Sequence, residues 1–255
     1  MNWLRAIALT FLFLLLVPIL VLLYYGLGPL RTPIGYGQEV FRSVALSLVS
    51  SGIAAVIDVV AFTPLAYYLA RNRNRVTESL VDIPVSIPHP IIGVALLVIS
   101  SPITPTGAFL ISIGVNLFNS ISGLVIALVV VSAPIYVKSL QPYFESRDLS
   151  PEQFAMGLGA SPLRTFLSVV LPDSSRAVIS GALLAMSRAL SEFGSIAILA
   201  YYVLQFPFYG VNPAAVLIYQ YYSYFGLGAA VTTSVTLIVI SVPLALAVRF
   251  VRREQ

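Results

Sequence analysis

Cysteine is absent from the 255 residues, which excludes a disulfide, a thiolate metal site and a cysteine nucleophile. Histidine occurs once, at His89. One imidazole without thiolate partners gives no zinc-type ligand set, and no metal site is expected. Charge is also scarce: 9% of residues are Asp, Glu, Lys or Arg, against roughly 25% in soluble domains. A chain so poor in charge cannot coat a water-facing surface. No phosphate-binding G-x-x-x-x-G-K-[S/T] loop occurs, which leaves no usual machinery for ATP hydrolysis. The lone histidine and scattered carboxylates likewise offer no acid/base constellation for a membrane enzyme.

Apolar residues make up 58% of the chain, and the bilayer is their natural solvent. A transmembrane helix needs about 20 mostly apolar residues. Six candidate spans follow, at about 6–25, 43–70, 87–101, 118–137, 177–201 and 228–248. The fold expected is all-α: a single transmembrane domain over 1–255, of about six helices. The first span follows Arg5, as a signal peptide would, but it leads into Tyr24-Tyr25-Gly26 rather than a small-residue cleavage site, and reads as a retained helix. Pro64 is a candidate kink in the second span, and the break Pro102-Ile103-Thr104-Pro105 separates the third from the fourth.

The net charge of +4 is spread thinly and has a topological explanation rather than a nucleic-acid one. With the amino terminus in the cytoplasm, Arg5, Arg71, Arg73, Arg75, Lys138, Arg147, Arg164, Arg176, Arg249, Arg252 and Arg253 are cytoplasmic, eleven of the fourteen basic residues. Arg31 and Arg42 lie outside and Arg188 within a span. Both termini then fall on the cytoplasmic side of a multi-pass membrane protein. The outer segment 202–227 carries no charge and many aromatics, among them Phe206, Tyr209, Tyr219 and Tyr224. It reads either as an aromatic belt or as a belt with a short inward-dipping helix capped by Asn212 with Pro213 at its first position.

The longest polar stretch is 141–176, between spans four and five. Ser150-Pro151-Glu152-Gln153 has the form of a helix start, with Ser150 as cap and Gln153 completing a capping box. Gly159 is placed to end that helix in a left-handed conformation. Ser161-Pro162 starts a second helix, and Leu171-Pro172 is expected to end it. Phe154 and Leu158 on such a loop suggest a docking surface.

Gln153-Phe154-Ala155-Met156-Gly157-Leu158-Gly159-Ala160-Ser161-Pro162, with Phe166 and Leu171-Pro172, resembles the "EAA" loop of the membrane subunits of ABC importers. Ala155, Gly159 and Pro172 match, while Gln153 stands in the usual glutamate slot with Glu152 one residue earlier. Ser187-Arg188-Ala189-Leu190-Ser191-Glu192-Phe193-Gly194 resembles the "RALxEFG" segment of the oxyanion permeases of that family. Thr63-Pro64-Leu65-Ala66-Tyr67, Ile83-Pro84, Pro88-His89-Pro90 and Gly93 are similar to the same group. The resemblance implies a permease importing molybdate, tungstate or sulfate, the molybdate/tungstate branch fitting best. It also implies a homodimer, two cytoplasmic ATPase subunits that hold the ATP and Mg, an external substrate-binding protein, and no cofactor in this chain. ATPase docking then falls to Glu152, Gln153, Phe154, Ala155, Gly157, Gly159, Ala160 and Ser161.

Asp58, Arg188 and Glu192 lie within predicted spans, where ionisable groups are costly. Arg188 and Glu192 are four apart and share a helix face. Their pairing fixes helix packing on one reading, and Arg188 meets a translocating anion on another. Asp58 has no evident partner. Ser187, Ser191 and Ser195 repeat every four residues as a hydroxyl stripe, which is either small-residue packing or the lining of a translocation path. His89, between two prolines, is expected to face protein or water. An ion-coupled secondary transporter using Asp58 or Glu192 is the remaining alternative, and it leaves the two-helix loop without a purpose.

Overall fold

The computed structural model describes residues 2–72 and 74–253, with side chains throughout that range except at 2, 35, 36 and 241–253. Arg73 and the side chains of Arg249, Arg252 and Arg253, which bear on the expected orientation, lie outside the described residues. The described chain is almost entirely helical. In order the helices are α1 (Asn2–Leu27), a 3-10 turn (Pro33–Tyr36), α2 (Gln38–Arg71), α3 (Arg75–Ser86), α4 (His89–Ser100), α5 (Pro105–Ser112), α6 (Ile121–Ser146), α7 (Ser150–Gly157), α8 (Pro162–Thr165), a π-turn (Phe166–Val170), α9 (Leu171–Asp173), α10 (Ser175–Leu190), α11 (Ile196–Leu199), α12 (Ala214–Phe225) and α13 (Leu227–Arg253).

Three helices, α1, α2 and α6, are long and apolar enough to cross a membrane. Two bent pairs, α3 with α4 (100°) and Pro162–Asp173 with α10 (77°), raise the number to five if each pair is one span. The expected sixth span lies in α13, whose described apolar part, Leu227–Ile240, is shorter. The centre of the bundle is α2 against α6, with α10 packed on both. Small residues permit this close approach: Ala54 and Ala55 of α2 and Ala127, Ser132 and Ala133 of α6 are buried. Two apolar clusters lie along this axis. Leu46, Leu124, Leu128, Leu199 and Val216 form one, and Leu69, Tyr136, Leu140, Phe144 and Val178 the other.

The polar groups along the axis are largely paired, as a medium without water demands. The Tyr136 hydroxyl lies 2.6 Å from Thr63 Oγ1. Asp58, unpartnered in the sequence reading, faces α6 and accepts from Ser132 Oγ at 2.6 Å; its second oxygen has no partner among the described residues. By contrast the side chains of α1 are mostly exposed along its length. α1 touches α13, where Gly26 sits against Val231 and Val235. Its remaining apolar surface is suited to hydrocarbon.

The structure departs from three expectations. The third span, expected at about 87–101, is the single helix α4, set off from α3 at Pro88; its 12 residues reach about 18 Å at 1.5 Å per residue, short of a full crossing. The fifth ends at Leu190 rather than continuing to 201. Past it come a turn, the short α11 and a single antiparallel bridge, Val203 to Val211. In the outer segment the short helix is present as α12, but Asn212 does not cap it. Its side-chain amide donates to the Tyr201 carbonyl, and Ser47 Oγ of α2 takes the Ala214 N–H at 2.8 Å.

Candidate functional site

Two regions concentrate the chain's unusual chemistry. The first is the polar loop after α6. Ser150 is the first residue of α7 rather than its cap, Leu149 taking the cap position; Asp148 Oδ1, just before the helix, accepts from the Ser150 backbone N–H at 3.1 Å and from the Ser150 hydroxyl at 2.9 Å. Those bonds hold the Asp148 carboxyl below its ordinary value of 3.8. A carboxylate there also favours the helix amino-terminal dipole. At the other end Gly159 has φ +89°. The Ala160 N–H reaches the Ala155 carbonyl and the Gly159 N–H reaches Met156, the paired bonds of a Schellman ending. Ser161 then caps α8 through the Arg164 N–H.

The second helix does not stop at Leu171-Pro172 as expected. It continues through the π-turn, where Leu171 N–H bonds five residues back to Phe166. Pro172 has no N–H to give, and the widened turn leads into α9, of which Pro172 is the second residue and which ends one residue later at Asp173.

Glu152 faces inward. Its Oε1 lies 2.5 Å from Arg71 Nη2 and its Oε2 accepts from the Tyr67 hydroxyl at 2.6 Å. Arg71 also donates to the Phe144 carbonyl at 2.8 Å. Arg147 pairs with Asp173. The end of α2, the end of α6, α7 and α9 are thereby tied together, and Arg71 and Arg147 line one cavity at that end of the bundle. Phe154 is 71% exposed and Leu158 75% exposed, so the apolar side of α7 and its turn points away from the bundle. Gln153, Ala155, Gly157, Gly159, Ala160 and Ser161 lie on the same compact element, with Ala155 and Ala160 joined by the turn's own hydrogen bond.

The second region is the junction where two short helices meet. Glu192 is buried, yet its carboxylate has four partners. Oε1 accepts from the Ser195 N–H at 2.9 Å and the Ser195 hydroxyl at 3.0 Å. Oε2 lies 3.0 Å from Arg188 Nη2 and 2.9 Å from His89 Nδ1. The expected Arg188–Glu192 pair is therefore present, and His89 joins it from α4. Glycine brings the two segments together. A Cβ at Gly93 would stand 2.6 Å from the Ser195 carbonyl oxygen, and one at Gly194 would stand 2.8 Å from Pro90 Cδ.

The serine stripe does not survive as one face. Ser187 and Ser191 are exposed, but Ser195 is fully buried. α10 ends at Leu190, so Ser195 leaves the helical register and its hydroxyl turns to Glu192. The inward turn of Glu152 and the membership of His89 escaped sequence reasoning as well. Pro88-His89-Pro90 marked an irregular site, but nothing local points that ring at residues about a hundred positions later.

A family model described as "binding-protein-dependent transport system inner membrane component" matches residues 61–254. The chain is 34% identical over 214 residues to the molybdate/tungstate transport system permease protein WtpB of Pyrococcus furiosus, covering 83% of this chain and 78% of that protein. The WtpB protein of Methanocaldococcus jannaschii is 32% identical over 210 residues, covering 81% and 80%. A probable sulfate transport system permease protein, cysT, of Nephroselmis olivacea is 31% identical over 211 residues, covering 82% and 73%.

Proposed function

From the premise that this chain belongs to the family of binding-protein-dependent inner-membrane transport components, the permease subunits of ABC transporters, we propose that it carries a tetrahedral oxyanion into the cytoplasm. Molybdate or tungstate is the cargo favoured by the relatives named for those ions. Sulfate is the second reading, supported by the cysT relative. The amino terminus and the polar loop face the cytoplasm in this reading. The clustering of Arg71 and Arg147 at one end of the bundle supports that orientation.

The observation that carries the transport reading is the turn around Gly159. It is a compact, well-capped element with Phe154 and Leu158 exposed at its tip. That surface is suited to an apolar cleft on each of two cytoplasmic ATPase subunits, which supply ATP and Mg. Glu152 belongs to this element by sequence, and its ion pair with Arg71 connects the docking helix to α2. Movement of the ATPase pair then reaches the spans as rigid-body gating. A second copy of this chain completes the path, and an external binding protein delivers the anion. Ser187, exposed on α10, and Ser191, exposed at its carboxyl-terminal cap, line the path from this copy, and Ser195 serves behind them through Glu192.

The test is uptake by the complex reconstituted with its ATPase and binding protein in vesicles, with molybdate, tungstate and sulfate offered separately. ATP-dependent uptake of one of them is expected. A complex that hydrolyses ATP but takes up none of the three overturns the proposed cargo. Failure of the ATPase to co-purify overturns the docking assignment.

A further inference from the structure

Arg188 sits on the rim of the broken junction, with 25% of its side chain exposed, while its partner Glu192 is 1% exposed. His89 is 29% exposed on the same rim. Glu192 is held from four directions, so the carboxylate belongs to the frame. Arg188 is not used up. Its Nη2 serves Glu192 and His89, its Nη1 makes one long contact of 3.3 Å to Ser191 Oγ, and its Nε has no partner among the described residues. A guanidinium has five N–H donors in a planar fork, so donors remain beside an exposed hydroxyl. A neutral His89 ring cannot both donate from Nδ1 to Glu192 and accept there from Arg188, and a change of tautomer alters how firmly Arg188 is held.

We propose that Arg188, His89 and Ser191 form a weak transit site for the oxyanion at the α4–α10 junction, with Glu192 as the built-in counter-charge that keeps the site weak. The proposal rests on the oxyanion reading given above. An unpaired guanidinium in a membrane would hold a dianion too firmly to release it, and transport requires binding that is favourable to enter and easy to leave. Glu192 already takes part of the Arg188 charge. An arriving oxyanion accepts hydrogen bonds from Nη1 and Nε, and from the Ser191 hydroxyl once that hydroxyl turns from the Arg188 carbonyl to which it donates at 2.9 Å, without displacing Glu192 from its bonds to Ser195. Ser187, one turn earlier on the exposed face, is the next hydroxyl along the route.

The chain has no cysteine, so a single Ser191→Cys reports the local field directly. The assay compares an anionic thiosulfonate reagent with a cationic one on the reconstituted complex, with and without nucleotide. The anionic reagent is expected to react about tenfold faster, as a focused positive field raises anion encounter rates, and tungstate is expected to slow it. In the background Arg188→Gln with Glu192→Gln, which strands no charge, the preference should fall to near unity and tungstate protection should vanish. A cysteine inaccessible in every nucleotide state overturns the site. So does labelling without charge preference, or a preference unchanged when Arg188 is removed. If an Arg188-dependent preference is present but the unaltered complex takes up no molybdate, tungstate or sulfate, the anion site stands and the assigned cargo falls.

Discussion

Arg71 at the end of α2 holds Glu152 of α7 at 2.5 Å, across 81 positions of sequence. Both side chains are largely shielded, and Tyr67 supports the same carboxylate. Removing Glu152 leaves Arg71 with the Phe144 carbonyl as its remaining described acceptor. Glu152→Ala is expected to cost about 2 kcal/mol, in the range of hydrogen bonds to charged groups. Transport should fall more than ATP hydrolysis, because α7 still docks but no longer moves with α2. The ratio of ions transported to ATP hydrolysed checks this, and an unchanged ratio refutes it.

Gly159 and Gly157 separate two effects of glycine in one turn. A Cβ added at either position would meet no atom within 4 Å, but Gly159 has φ +89°. Gly159→Val should therefore cost about 1–2 kcal/mol locally through backbone strain and weaken capture of the ATPase. Gly157→Ala carries no such strain and should leave ATPase capture intact. Side-by-side pull-downs of the ATPase decide it.

The start of α7 should be acid-sensitive. The Asp148 carboxyl is lower in the folded chain than its ordinary value, so its contribution is present above that value and is lost as pH falls through the folded one. The protection factor of the Ser150 amide, taken against its intrinsic exchange rate at each pH, should fall as pH drops below the ordinary carboxylate value, and Asp148→Asn should remove that pH dependence. An identical profile in the variant would show that another group is responsible.

The junction of α4 with the break between α10 and α11 tolerates no extra atom on either side. Gly194→Ala places a methyl 2.8 Å from Pro90 Cδ and should destabilise the protein by about 1–3 kcal/mol, the usual cost of overpacking. His89 would be pushed from Arg188 and Glu192. Thermal unfolding of the purified protein measures the loss, and a stability equal to the unaltered chain's contradicts the close approach.

Arg188→Leu should be less stable than the double change Arg188→Leu with Glu192→Gln. The single change leaves a carboxylate that is 1% exposed without its cation, a loss of about 3 kcal/mol or more when a buried pair is broken. The double change leaves a neutral amide that still accepts from Ser195. Equal losses in the two variants would mean that the pair is not coupled.

The sequence by itself determined the properties that depend on composition and short spacing. Scarce charge and long apolar runs specify a membrane protein because hydrocarbon is the only solvent that suits them. Gly159 after a short helix specified a left-handed ending, since that conformation is a local property of one residue. Arg188 and Glu192, four apart, were legible as a pair for the same reason. Only the tertiary structure decided what depended on partners far along the chain. His89 meets Arg188 across 99 positions, and Asp58 meets Ser132 across 74. The same holds for Glu152, which the loop alone offered as a docking residue and the fold turned toward Arg71. α10 stops at Leu190 where helical periodicity would have carried it on: Glu192 satisfies itself by accepting from Ser195 and from His89 of another helix, and that set of bonds exists only once α4 has packed against the break.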